Sequence, residues 1–291
     1  MNKPVIIWSE GSRLAADLFL PDEPHGRRLP AILLCHGWGG LKSHLAVYAR
    51  RFARHGFACL VFDYRGWGES DGRIVAPATG PMLTTAGTHT LDVRVVREIV
   101  DPIDQLLDIR NAFEFLAGED VVDTARMAIW GTSYGGGHAV HFTSIEDRVR
   151  CVVAQIGGYD HPQGDDFKQL ARSRAQKKAR GEFDPALPQG VDTVPGLKGT
   201  PDVAKMLGHR AVRAAANVRV PSLIIDAEHE ELVDRSQHGR LVYETIRQNA
   251  PADYITYPCT HYGVYDAYYE PSSQAAVAWF HKHLVADGRQ S

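Results

Sequence analysis

Residues 131–135 read Gly-Thr-Ser-Tyr-Gly, a serine with a glycine two places away on either side. The apolar run Met127 to Trp130 precedes it, and GGGHAVHF, which can continue as a helix, follows. A serine on a sharp turn from strand to helix presents its hydroxyl above the sheet, and flanking glycines let backbones approach without side-chain collision. The same residues also make an ordinary tight turn with a capping serine, so the motif needs partners before it means chemistry. A serine hydroxyl is a weak nucleophile near neutrality. It needs a histidine base within hydrogen-bond reach, and that histidine needs an acid to orient it.

Both partners have candidates after later apolar runs. Behind Tyr254 to Tyr257 (YITY) comes Pro-Cys-Thr-His-Tyr-Gly, which puts His261 on a short loop before the last helical segment and makes it the natural base. Behind Ser222 to Ile225 (SLII) comes Asp226-Ala227-Glu228-His229-Glu230-Glu231, with Asp234 at the far end. Asp226 is placed to end a strand, while Glu230 stands in the loop proper, and residue types alone leave the acid open between them and Glu231. An acyl-transfer site further requires N–H donors for the developing oxyanion. Tyr134, directly after the serine, supplies one backbone amide, and Trp38 in the glycine-rich loop Cys-His-Gly-Trp-Gly-Gly (35–40) supplies the second. That loop has no following Gly-Lys-Ser/Thr, which argues against a phosphate cradle.

The elements that must hold these loops follow from periodicity. Short apolar runs recur at AILLC (31–35), ACLVF (58–62), MAIW (127–130), CVVAQI (151–156), SLII (222–225) and YITY (254–257). Apolar on both faces, they suit buried strands of a parallel sheet. Helical patterns lie between most of them, over 44–55 and 103–116, and again around Glu244 and Ser272. Strand alternating with helix predicts right-handed crossovers and a doubly wound α/β sheet. The opening VIIWSEGSRLAADLFLP reads as two strands turning at Glu10-Gly11, an antiparallel edge. Alternation fails across 160–213, where a polar helical stretch with six basic residues leads into a segment rich in proline and glycine. We expect a small, partly helical cap there (160–213) inserted into a core of 1–159 and 214–291. The basic run is read as a solvated helix face in preference to a mark of acidic substrates.

Composition limits the partners. Hydrophobic residues make up 44% and the formal net charge is −3, an ordinary globular balance without the basic surplus that nucleic acid or an anionic membrane would require. No run approaches the roughly 20 apolar residues of a membrane span, and the N-terminus lacks a secretory h-region. Four cysteines, Cys35, Cys59, Cys151 and Cys259, sit in or beside apolar runs without CxxC spacing and fit buried thiols of a cytoplasmic protein. Two other features are read as structural. His138 and His141 have a possible metal-pair spacing but no matching third ligand, so they are read as core or surface residues. His36 should buttress the loop after the first parallel strand.

HGWGG, then FDYRGWGESDG (62–72), GTSYGG, AEHEELVD and THYG together resemble the α/β-hydrolase fold serine hydrolases across nearly the full chain. The order serine, acid, histidine is also that family's. DYRGWG (63–68) resembles a structural turn of the fold, a resemblance that implies a pair between Asp63 and Arg65. Its strand-end loop commonly reads Gly-x-x-Asp with a proline four residues on; here Ala227, Glu230 and Asp234 occupy those places. The resemblance therefore implies Glu230 as the acid, with Asp226 and Glu231 in reserve. VDPIDQLLDIRNAFEFL (100–116) is similar to a branch of bacterial esterases, dienelactone-hydrolase-like proteins and fungal polyketide acyltransferases. The expectation is a carboxylic ester hydrolase acting through Ser133, Glu230 and His261, with Trp38 and Tyr134 as oxyanion donors and neither cofactor nor metal. Its partner is a small-molecule ester or thioester, a homodimer remaining open. Acyltransfer, thioester cleavage and peptide cleavage are the competing chemistries, and a binding protein without catalysis would lack a triad member.

Overall fold

A computed structural model describes residues 1–22, 28–76, 79–80, 82–162, 164–183 and 192–285. The elements run β1 (Asn2–Ser9), β2 (Ser12–Phe19), β3 (Leu29–Cys35), α1 (Lys42–Arg54), β4 (Ala58–Phe62), β5 (Arg73–Val75), β6 (Arg94–Val96), β7 (Ile99–Val100), α2 (Pro102–Ala117), β8 (Val122–Thr132) and α3 (Tyr134–Thr143). They continue with β9 (Val149–Gln155), α4 (Asp165–Ala179), β10 (Thr200–Pro201), α5 (Val203–Met206), α6 (Ala211–Ala214), β11 (Ser222–Ala227), α7 (Gly239–Ile246), β12 (Ala252–Tyr257) and α8 (Tyr269–Phe280). Eight strands form one sheet in the order β1-β2-β4-β3-β8-β9-β11-β12. Pairing is parallel from β4 through β12; β2 is antiparallel to both neighbours, so of the eight strands it alone runs against the rest. This is the expected α/β-hydrolase architecture, mostly parallel and doubly wound.

The continuous apolar runs are explained by two cores. In β3, Ala31, Leu33 and Cys35 face α2 and α3, while Ile32 and Leu34 face α1 and α8; β4 divides its side chains in the same alternating way. Because both faces are covered, neither set can be polar. Pro102 fits the first turn of α2, where its missing N–H costs nothing, and the Asp101 carboxylate accepts from the amides of Ile103 and Asp104.

Several local readings need correction. Asp63 and Arg65 do not pair. The Asp63 carboxylate accepts from the backbone amides of Lys42 and Glu69. Arg65 instead donates to Asp108 at 2.8 Å from its guanidinium and 2.8 Å from its amide, and Asp108 also accepts from Ser9 at 2.7 Å. The reason is that Asp108 is fully buried on α2 and requires a cation, whereas Asp63 is used up fixing the start of α1. Cys259 is half-buried, unlike the three fully buried cysteines; all four are free. The stretch after β4 carries no periodic signal, yet it holds the β5–β6 hairpin and β7, and β7 pairs in parallel with β10 from the region expected as a cap. Part of that region, 184–191, lies outside the described residues. Its basic helix α4 keeps most of its charge in local pairs, Lys168 with Asp165, Arg174 with Asp192 and Lys178 with Asp202. Among the described residues no helix is long and apolar enough to cross a membrane.

Candidate active site

Ser133, Glu230 and His261 come from the loops at the carboxyl ends of β8, β11 and β12, the edge of an open parallel sheet where ligands collect. Ser133 has φ 53° and ψ −130°, a conformation an L-residue holds only when its surroundings over-determine it. They do: its amide donates to Gln155 O at 2.9 Å, and its carbonyl accepts from Gly136 and Gly158 at 2.8 and 3.0 Å. The flanking glycines are explained by crowding, since a Cβ on Gly131 would lie 2.0 Å from Gly135 O, and one on Gly135 would lie 2.3 Å from Cys35 O.

His261 is nearly inaccessible and links the other two. Its Nε2 lies 3.1 Å from Ser133 Oγ, and its Nδ1 lies 2.8 and 3.0 Å from the two carboxylate oxygens of Glu230. A carboxylate only accepts, so Nδ1 carries the proton and the lone pair of Nε2 faces the serine hydroxyl. Glu231 accepts the His261 backbone amide at 2.7 Å, which fixes the loop and leaves the ring to its neighbour. Asp226 is turned elsewhere, accepting from Tyr254 Oη at 2.8 Å, with burial pushing its carboxyl up to about 6. Of the three carboxylates weighed, it is Glu230 that meets the imidazole.

The loop after β3 packs tightly against the nucleophile; a Cβ on Gly37 would sit 2.7 Å from Ser133 Cβ. His36 buttresses this loop as expected, donating from Nδ1 to Gly37 O at 3.0 Å, and burial pushes it down to about 4, so it stays neutral. Trp38 meets Tyr134 edge to face at 5.5 Å, bringing together the two residues assigned as amide donors. The Trp38 indole donates to Lys198 O at 3.1 Å, a tie to the segment before β10 that no spacing rule announces. A chamber of about 430 Å³ opens beside Ser133, walled mainly by apolar side chains such as Phe167, Leu170, Val203, Met206 and Val233.

Sequence reasoning missed a network that joins Tyr134 to His161 in the wall of this chamber, and the buried His138 to Gln105 and His209. Tyr134 Oη bonds His161 Nε2 at 2.8 Å; His138 bonds Gln105 through Nε2 at 2.9 Å and His209 through Nδ1 at 3.0 Å. Their sequence separations of 27, 33 and 71 residues leave no local signal. His138 and His141 are thus a core residue and a partly buried neighbour, and among the described residues no group of three or more His, Cys, Asp or Glu is disposed to hold a metal. Burial pushes His161 down to about 4, and His138 and His209 well below the usual imidazole value. The unfolded chain therefore binds protons that the folded chain refuses once pH drops below about 6.5, so stability falls between 6.5 and 4 and levels off beneath the folded values. His36 and His161 should each contribute up to roughly 3 kcal/mol of this loss. Urea unfolding at pH 7.5, 6, 5 and 4.5 should show midpoints dropping through this window, less steeply in His161→Phe; midpoints flat from pH 7 to 5 would contradict it.

Comparison with known proteins agrees with the fold and narrows the family. Residues 10–253 match the profile of the X-Pro dipeptidyl-peptidase (S15) family. The chain is 27% identical over 285 residues to an uncharacterized 31.7 kDa protein in the traX-finO intergenic region of Escherichia coli, covering 88% of this chain and 91% of that one. It is 34% identical over 127 residues to the quorum-quenching protein AidA of Acinetobacter baumannii, covering 43% of this chain and 34% of that protein. Among solved structures, Est1E from Butyrivibrio proteoclasticus with bound ferulic acid superposes with a TM-score of 0.69 at 20% identity, covering 96% of this chain and 98% of that one. With a profile that spans most of the chain and a sheet of the matching architecture, the chain belongs to the X-Pro dipeptidyl-peptidase (S15) family and is an α/β-hydrolase fold serine hydrolase.

Proposed function

We propose that the chain cleaves carboxylic esters through an acyl-enzyme on Ser133. The observation that carries this reading is the unbroken hydrogen-bonded line from Glu230 through His261 to Ser133 beside a largely apolar chamber. Ser133 Oγ attacks the ester carbonyl carbon while His261 Nε2 takes its proton, and Glu230 stabilises the imidazolium. The amides of Trp38 and Tyr134 hold the oxyanion, and His261 then passes its proton to the departing alcohol. Water, deprotonated by the same nitrogen, attacks the acyl carbon and frees the serine. These steps use only protons and fixed dipoles, so they call for no cofactor or metal. Residues 160–213 serve as the cap over a core of 1–159 and 214–291, and the partner is a small molecule.

The family's description names a peptidase, and one observation separates the two chemistries. A dipeptidyl-peptidase must anchor the substrate's terminal ammonium, for which a free carboxylate in the pocket is the natural device. Among the described residues lining the chamber, the carboxylates are Asp160 and Asp192, and both are already paired, with Arg210 at 2.9 Å and Arg174 at 3.0 Å. Steady-state assays of p-nitrophenyl butyrate against Ala-Pro-p-nitroanilide test this directly. Ester turnover should exceed amide turnover by at least about 100-fold in kcat/KM, the scale on which an unanswered substrate charge is rejected. Comparable rates, or a preference for the amide, would reverse the assignment.

A further inference from the structure

Ser133 and His261 do not border one chamber alone. A second, of about 380 Å³, shares Trp38, Leu197 and Leu232 with it as well, so all five of these residues line both. The remaining walls of the second chamber differ in kind from the first. It is built from α1, from the glycine-rich loop 36–40 and from the turn that carries the base, with Val47, Tyr48, Tyr262 and Tyr265 prominent, and no Asp, Glu, Lys or Arg is among its described lining residues. Its phenols are partly engaged already: Tyr265 Oη bonds Thr132 Oγ1 at 2.8 Å, and Tyr48 Oη accepts from Gln155 at 3.4 Å. Tyr262 stands against His261 with ring centroids 5.3 Å apart and presents a half-exposed face.

The position of this chamber assigns its use. His261 must give its proton to the leaving oxygen and later take one from the incoming oxygen, so both oxygens lie on the side of the imidazole. Tyr262 and Tyr265 belong to the same short turn as His261, whereas the first chamber is bordered by Tyr134, next to the nucleophile. We infer that the second chamber is the site of the alcohol part of the ester, selective for uncharged aromatic alcohols, and that such an alcohol held there accepts the acyl group in competition with water. This rests on the acyl-enzyme proposed above. The transfer is balanced: the alcohol O–H proton passes to His261 Nε2, the alcohol oxygen bonds the acyl carbon, the bond from that carbon to Ser133 Oγ breaks, and Oγ recovers the proton. An aromatic ring suits walls of tyrosine and tryptophan, where edge and face contacts add to burial.

Partition of one acyl-enzyme tests the inference without interference from damage to the triad, because hydrolysis and transfer share that intermediate. The full chain is given p-nitrophenyl butyrate with equal concentrations of benzyl alcohol or ethanol, and butyrate ester and butyric acid are both quantified. Benzyl alcohol should divert about tenfold more acyl group into ester than ethanol, the factor equivalent to about 1.4 kcal/mol of added binding. Val47→Trp fills the chamber from a half-exposed helix position, and Tyr262→Ala removes an exposed wall; both should bring that advantage towards one. Equal partition to the two alcohols, or an advantage unchanged in both variants, overturns the inference while leaving ester hydrolysis intact. Failure to trap any acyl group on Ser133 overturns the inference and the esterase reading together.

Discussion

Replacing Ser133 with alanine should lower kcat for p-nitrophenyl butyrate by about 10⁴- to 10⁶-fold, because a triad acts as a unit and what survives is the contribution of binding and of the proposed oxyanion donors. The geometry makes the reason local. His261 Nε2 is 3.1 Å from Ser133 Oγ, and its other nitrogen is already committed to Glu230, so the imidazole is poised to deprotonate that hydroxyl. Alanine removes the hydroxyl without altering the turn, since the strained φ of 53° is held by backbone bonds to Gln155, Gly136 and Gly158, all of which remain. The thermal midpoint should therefore stay within a few degrees of the parent, which separates lost chemistry from lost folding. A fluorophosphonate probe should leave its adduct on Ser133 in the parent and none in the variant. Retention of more than about 1% of turnover in a variant purified free of parent enzyme would mean that another group attacks the ester.

How much of this was legible beforehand differs by residue, and the reason is range. Ser133 and His261 could be named, and Tyr134 and Trp38 placed beside them, because each follows an apolar strand by a few residues, and strand order alone brings those ends to one edge. Glu230 over Asp226 required the resemblance, and the structure supplies the cause. β11 continues to Ala227, so Asp226 lies within the strand and its carboxylate is taken by Tyr254 of β12, while Glu230 lies beyond the strand in a loop that can bend to the imidazole. The resemblance of DYRGWG to a structural turn implies a local partner for Arg65, whereas the group needing the cation, Asp108, is 43 residues away and buried on α2. The histidines around Tyr134 and the tie from Trp38 to Lys198, 160 residues apart, were invisible for the same reason. Periodicity reports which face of an element is buried, and says nothing of which distant polar groups must satisfy one another there.

Two near-isosteric substitutions, one in β11 and one in the loop after it, should give opposite results. Glu230→Gln should lower kcat by about 10³- to 10⁴-fold, the scale seen when a triad acid loses its charge without losing its shape. The carboxylate accepts from Nδ1 through both oxygens, whereas an amide has one oxygen and one donor; when the NH₂ faces Nδ1 the proton moves to Nε2, and the base is lost. Even in the other orientation no negative charge is left to stabilise the imidazolium. Asp226→Asn keeps an oxygen for Tyr254 and touches neither His261 nor Ser133, so kcat should fall by less than about tenfold. Its effect should be on stability. Burial lifts the Asp226 carboxyl to about 6 from the usual 3.8, so the folded chain binds a proton that the unfolded chain releases between those values, and stability is lost as pH rises from about 4 through 6. At pH 7.5 the asparagine variant should recover that loss, up to roughly 3 kcal/mol, and unfold at higher urea than the parent, with the difference vanishing near pH 4. If instead Asp226→Asn abolishes turnover while Glu230→Gln is mild, the imidazole is oriented from the strand and the acid must be reassigned.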